Sequence, residues 1–316
     1  MKSFTAGVVL FLLICNNLKA QESVFIKRIS ETVTFNGIPD EPLWGGLNKF
    51  DLTMHSPTFG LSPSEISDVR MGYDDEFLWI GAKLFMKDAS KIFSPTKRRD
   101  EDIEEYDAFG IILDTYDDNE NALAFFTNPF GLRSDYAISN DGEGGGGGPN
   151  SSMNSSWNTF WDVKTAVDDK GWYVEMRIPF SSLKFKPEGD IAAMGLILVR
   201  HISLNNETDS YPAIDPKFGH DATNKPSLAA GISISGARPK KPVYISPYVK
   251  LAHQTTGLFH SALILLQDSS TMENVQGLKW RLILTFHPAS EWKQHMNSMP
   301  YDSPEGPEAT HSTFIQ

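Results

Sequence analysis

The stretch Gly171-Trp172-Tyr173-Val174-Glu175-Met176-Arg177-Ile178-Pro179-Phe180 puts Trp172, Val174, Met176 and Ile178 on one face and Tyr173, Glu175 and Arg177 on the other. This period-two pattern is that of a half-buried strand. It ends at Pro179, which has no N–H for a further ladder rung. Just before it, Trp161 to Val167 alternates and turns back through Asp168-Asp169-Lys170-Gly171, so the two runs read as a hairpin. More than a hundred residues earlier lies Phe35-Asn36-Gly37-Ile38-Pro39-Asp40-Glu41-Pro42-Leu43-Trp44. It reads as a strand end, a tight turn and an anchoring tryptophan. Together the two segments point to an all-β binding module more than to a catalytic domain.

Outward from this pair the chain continues as short strands between turns. Val24 to Phe35 alternates roughly, and Asp68 to Met86 divides at Tyr73-Asp74-Asp75-Glu76. Ala108 to Leu113, Ala122 to Thr127, Arg133 to Ile138, Met194 to Ile202 and Gly231 to Ile234 complete the set. Such spacing with few helical periods predicts an antiparallel β-sandwich of jelly-roll type. Pro42 to Leu47 and Phe180 to Leu183 suit short helical turns. Asn140 to Ser156, with five consecutive glycines from Gly144 to Gly148, has a low-complexity composition that cannot pack and reads as a flexible loop. It carries sequons at Asn150 and Asn154, and no helix follows that would make it a phosphate cradle.

Composition limits function. The 316 residues are 40% hydrophobic with net charge −12, and the segment from Arg238 onward is nearly neutral, so the acidity lies before it. An acidic surface repels phosphate backbones, which excludes nucleic acid and favours neutral ligands such as glycans, or cations. Lys2, the apolar run Val8 to Cys15 and the Leu18-Lys19-Ala20 end read as a secretory signal over 1–20, too short to span a bilayer. Export to the periplasm or cell surface follows. The only cysteine, Cys15, falls in this signal, so the mature chain has no disulfide, thiol nucleophile or thiolate metal site.

Five motifs in order resemble family 9 carbohydrate-binding modules. They are Gly37-Ile-Pro-Asp-Glu-Pro-Leu-Trp44, Tyr73-Asp-Asp-Glu-Phe-Leu-Trp79, Asp107-Ala-Phe-Gly-Ile-Ile-Leu-Asp114, Asn128-Pro-Phe-Gly131 with Asp135, and Gly171 to Leu183. The likeness covers 27–235. Within that family the chain is most similar to the amino-terminal modules of bacterial outer-membrane barrel proteins, through Arg98-Arg99-Asp100 and Ile111 to Asp117. The resemblance implies a β-sandwich over 21–235 and non-catalytic polysaccharide binding, accessory to polysaccharide breakdown. The alternative it leaves is a periplasmic or surface interaction domain with no sugar site. Two departures bear on this choice: Gly110 stands where sugar-binding members carry glutamate, and Phe126-Thr127-Asn128 where they carry Arg-x-Asn. Tyr211 stands for their late stacking tryptophan. Pro242 to Val249 resembles the start of a barrel, yet the 68 residues after Tyr248 cannot supply eight strands of about 9–11 residues. The segment 236–316 is therefore expected to be a truncated or frame-shifted barrel start, disordered from Ser290 to Gln316. An outer-membrane association would need the missing barrel.

The candidate site residues follow from sugar chemistry. A pyranose offers a C–H face to an aromatic ring, and its hydroxyls need polar partners. Trp157, Trp161 and Tyr211 are candidate platforms, either exposed rings or loop and core anchors, with Asn128, Arg98 and Arg99 as polar partners. Trp44, Trp79 and Trp172, set in strand or anchor contexts, read as core. Asp114, Asp117 and Asp118, with Asn119 and Glu120, form a dense oxygen turn that suits structural calcium or a solvated hairpin tip. A glycosidase would need two carboxyls about 5–10 Å apart, for which Glu175 and Asp107 are candidates. No Gly-x-Ser-x-Gly elbow or His-Glu-x-x-His occurs.

Overall fold

The computed structural model describes residues 23–96, 98–99, 106–144, 151–219 and 221–239, together with three further strands. The chain divides into two units, Met1–Lys241 and Pro242–Gln316. In the first, strands run β1 Val24–Phe25, β2 Lys27–Arg28, β3 Asn48–Phe50, β4 Thr53–Ser56, β5 Ser67–Tyr73, β6 Phe77–Phe85, β7 Ala108–Asp114 and β8 Ala122–Thr127. They continue as β9 Ser134–Ile138, β10 Met153–Asn154, β11 Asp162–Asp168, β12 Gly171–Pro179, β13 Ile191–Ile202, β14 Glu207–Tyr211 and β15 Ala230–Ser235.

One sheet has the order β1-β15-β13-β7-β8-β9-β10, with β14 on the far half of β13 and β4 beside β14. The other runs β11-β12-β6-β5-β2, with β3 also on β5. Pairing is antiparallel except β1 with β15 and β2 with β5. Alternation assigns the faces. Phe109, Ile111 and Leu113 of β7 meet Val174, Met176 and Ile178 of β12 in one core shared by both sheets. The β-sandwich expected from the sequence is the fold. The predicted hairpin is β11–β12, paired from Asp162↔Arg177 to Asp168↔Gly171. Trp44, Trp79 and Trp172 are all buried.

The two segments that decided the fold class touch each other. Glu175 of β12 points outward, and its Oε2 accepts the backbone N–H of Asn36 and of Gly37, each at 2.8 Å. Gly37 has φ +99°, and a Cβ there would lie 2.9 Å from the Thr165 backbone of β11, so only glycine fits. The single helical turn α1, Pro42–Gly45, then sets Trp44 against Ile29, Leu47 and Trp79 on the outer face of this sheet.

Differences from the sequence reading are local. Past Arg28 the chain leaves the sheet, so the expected strand to Phe35 is confined to its first residues. Phe180 to Leu183 is a hydrogen-bonded turn and not a helix. Strands β3, β4 and β14 were not foreseen, being only three to five residues long. In the loop expected over Asn140 to Ser156, Asn140–Gly142 is a 3-10 turn and β10 pairs with β9. Its residues 145–150, including four of the five glycines and Asn150, lie outside the described residues, as do the leader over 1–20, Cys15 and Ser290 to Gln316. In the second unit, β16 Ile245–Leu251, β17 Ser261–Asp268 and β18 Ile283–Thr285 pair antiparallel in that order.

Candidate ligand-binding site

Strand register places the three candidate rings. Tyr211, Leu198, Ile111 and Phe125 lie in one cross-sheet row. Tyr211 therefore faces the interior, where its ring meets Phe50 edge-on with centroids 5.0 Å apart. Trp157 and Trp161 both pack edge-on against Phe125, at 6.1 and 5.5 Å. Tyr211 stands three strand spacings, about 14 Å, from the strand carrying that contact. Trp161 is 2% exposed and belongs to the core, which corrects its candidacy as a solvent-facing platform. Trp157 and Tyr211 are half-buried. The three rings do not form one exposed surface.

The rings that do reach solvent are their neighbours. Phe160 is 65% exposed and Phe130 49%. They sit on the β10–β11 and β8–β9 loops, which polar side chains tie to a third loop between β6 and β7. The Arg99 guanidinium of that third loop donates both to buried Asp135 on β9 and to Asn158. Asp135 also accepts the Thr159 N–H at 2.9 Å. Asn128 is wholly buried. Its Nδ2 donates to Thr96 O at 2.8 Å, and its Oδ1 accepts from Phe130 N and Leu132 N. Asn128 thus shapes the loop that presents Phe130 and is not itself open to a ligand. Arg98 is exposed beside Arg99. Of the sequence candidates, Arg98, Arg99, Asn128 and Trp157 converge on this end, and Tyr211 does not. Phe130 and Phe160 were missed, although Phe130 within Asn128-Pro129-Phe130-Gly131 and Phe160 at a strand entrance both sit where a turn lifts a ring from the core.

On the outer face of the larger sheet, the two departures from the sugar-binding pattern are one physical event. Gly110 and Phe126 are cross-strand partners. A Cβ on Gly110 would lie 2.2 Å from Phe126 Cδ1, so the ring lies across the glycine. Phe126 stacks on Tyr136, centroids 5.8 Å apart and planes 10° from parallel. Tyr136 Oη bonds Asn224 Oδ1 at 3.1 Å. An apolar stack thus fills the place where the resemblance implies a glutamate and an arginine.

The acidic turn spends its carboxylates locally. Asp114 accepts N–H groups of Tyr116 and Asp118 at 3.2 Å and of Asn119 at 2.7 Å. Burial still holds its carboxyl above the ordinary range. Asp118 accepts from Glu120 N, Asn121 N and Asn121 Nδ2, and Asp117 is exposed at the tip with φ 54°. Among the described residues no three acid, His or Cys side chains are arranged to hold a metal ion. The glycosidase candidates are enclosed as well. Glu175 holds the Asn36-Gly37 turn, and Asp107 accepts from Phe93 N at 2.7 Å and Ser203 Oγ at 3.0 Å. Among the described residues no helix is long and apolar enough to cross a membrane.

No protein-family model matches the chain, and no curated protein matches it in sequence. Among solved structures it is similar to a candidate carbohydrate-binding protein from Bacteroides uniformis, with a TM-score of 0.52 and 12% identity over 68% of this chain and 99% of that one. The two share a fold. It also matches a family 9 carbohydrate-binding module from Caldicellulosiruptor kristjanssonii. In complex with cellotriose that module gives TM-score 0.44, 16% identity and 72% and 100% coverage; in complex with glucose, 0.46, 17%, and 69% and 98%.

Proposed function

We propose that residues 21–235 form an exported, non-catalytic carbohydrate-binding module that holds a polysaccharide at the loop end carrying Phe130 and Phe160, as an accessory to glycan breakdown. The observation that carries this reading is two solvent-facing rings on loops pinned together by Arg99, Asp135, Asn158 and Asn128. Pinned loops lose little entropy on binding, and an exposed ring beside guanidinium and amide groups meets both the C–H face and the hydroxyls of a sugar. Stacking contributes about 0.5–1.5 kcal/mol per ring beyond area burial, so affinity is modest. The test is retention of the full chain in affinity gels containing soluble polysaccharides. Phe130→Ala with Phe160→Ala is expected to abolish retention while leaving the melting temperature within about 2 °C, as surface changes do. Unchanged retention in that double variant overturns the reading.

A second reading, an interaction domain without a sugar site, draws on the Gly110–Phe126–Tyr136 stack, which replaces polar groups by apolar ones on the outer sheet face. It is favoured if no polysaccharide retards the protein.

A further inference from the structure

At the edge of the sandwich where β13 turns into β14, four carboxylates lie near enough to one guanidinium to act on it electrostatically. Arg200, Asp209 and Asp107 are wholly buried, and Glu207 and Glu65 nearly so. Arg200 and Asp209 are direct cross-strand partners. Yet Arg200 spends its Nη1 on Ile66 O and Ser67 Oγ, at 3.0 and 2.9 Å, and its Nη2 on Phe85 O at 2.7 Å. Among the described residues its Nε has no partner, and neither oxygen of Asp209 has one. Glu207, two residues before Asp209 on the same inward face, accepts Ser64 N at 2.7 Å. Glu65 accepts Lys87 N at 2.9 Å, and Lys87 Nζ reaches Ser64 O. Asp107 is held by Phe93 N and Ser203 Oγ. His201 of β13 lies on the opposite face of the sheet, and His55 of β4 is bonded to Ile214 O.

Two buried ionised carboxylates side by side, neither paired with the nearby guanidinium, are strongly unfavourable. A single proton removes the conflict, because the protonated acid donates to the other's oxygen. We propose that Glu207 and Asp209 share one proton in the folded protein, and that its loss toward alkaline pH loosens the clasp these strands keep on the loop spanning 57–66. That loop is held through Ser64 N, the Asn205 Nδ2 bond to Ser64 Oγ, Glu65 and the Ile66 carbonyl. Its outer side presents Leu61 and Ile66 to solvent, Ile66 at 71% exposure. The acid pair therefore links proton concentration to the ordering of an apolar-tipped loop. Consistent with this, burial and Glu207 push Asp209 up to about 7, against the opposing pull of Arg200. For an acid whose folded value is raised, the stabilisation is complete below its unfolded value near 4 and is lost as pH rises to about 7.

The experiment is thermal unfolding of the full chain from pH 4.5 to 8.5, wild type against Asp209→Asn, whose neutral amide mimics the protonated acid. The variant is expected to gain on wild type between pH 5 and 7.5, by on the order of 5 °C, and to level off above. A difference that does not vary with pH overturns the proposal. So does a carboxyl NMR resonance of Asp209 that titrates near 4. If Asp209→Asn does not fold, Glu207→Gln serves the same comparison. Hydrogen exchange at Ser64, corrected for intrinsic rates, is expected to accelerate above pH 7 in wild type only. Equal acceleration in the variant counts against the clasp.

Discussion

Gly110→Ala adds one carbon, and its cost depends almost wholly on one ring. The new Cβ would stand 2.2 Å from Phe126 Cδ1 and 2.3 Å from Cε1. Ordinary contact begins near 3.4 Å, so the ring must retreat by more than about 1 Å, and its stack on Tyr136 resists that movement. Overpacking of this kind costs about 1–3 kcal/mol. Phe126→Ala alone removes a nearly buried ring, worth about 3–5 kcal/mol. With the ring gone, the three closest atoms to the new Cβ are gone too and alanine replaces a strand glycine, so there Gly110→Ala should be neutral or stabilise by about 0.5–1 kcal/mol. The double-mutant cycle therefore predicts a favourable coupling of about 1–4 kcal/mol. Urea unfolding reads it through the midpoint at constant m-value. If Gly110→Ala costs the same with and without the Phe126 ring, the clash is not the reason for the glycine.

The same pair offers a functional test: Gly110→Glu with Phe126→Arg should create polysaccharide retention on the outer face that survives Phe130→Ala, and no gain there would mean that the polar pair alone is insufficient. Gly37→Ala is expected to lose more than about 2 kcal/mol by urea unfolding, from the clash with the Thr165 backbone and the φ of +99°; a loss under about 0.5 kcal/mol would refute the close approach. Trp161→Ala should lower stability by about 3–5 kcal/mol as a core deletion, whereas a folded variant that has lost only binding would return Trp161 to the site. A chelator should leave the melting temperature unchanged, since Asp114 and Asp118 already satisfy backbone amides; a clear fall would restore the acidic turn as a calcium site.

Much of the fold was legible because period-two alternation and Pro or Gly punctuation are local physics. Trp172, Val174, Met176 and Ile178 face inward as the pattern required, and the hairpin turned where Asp168 to Gly171 said it should. The contact between the two signature segments was not legible. It rests on Glu175 reaching two amides 138 and 139 residues away, and no local pattern encodes a partner at that distance. The site was harder still. Outside a strand there is no parity to count, so Phe160 and Trp161, adjacent in the chain, go to opposite environments only once the loop is pinned. Likewise Gly110 and Phe126 read as two separate departures from the sugar-binding pattern, and strand register makes them one event.

The amino-acid order by itself determined which segments become strands and which tryptophans anchor them, because those outcomes follow from spacing along a few residues. Only the tertiary structure decided which aromatic rings meet water and which carboxylates are buried together, because solvent access and charge proximity are set by strands far apart in the chain.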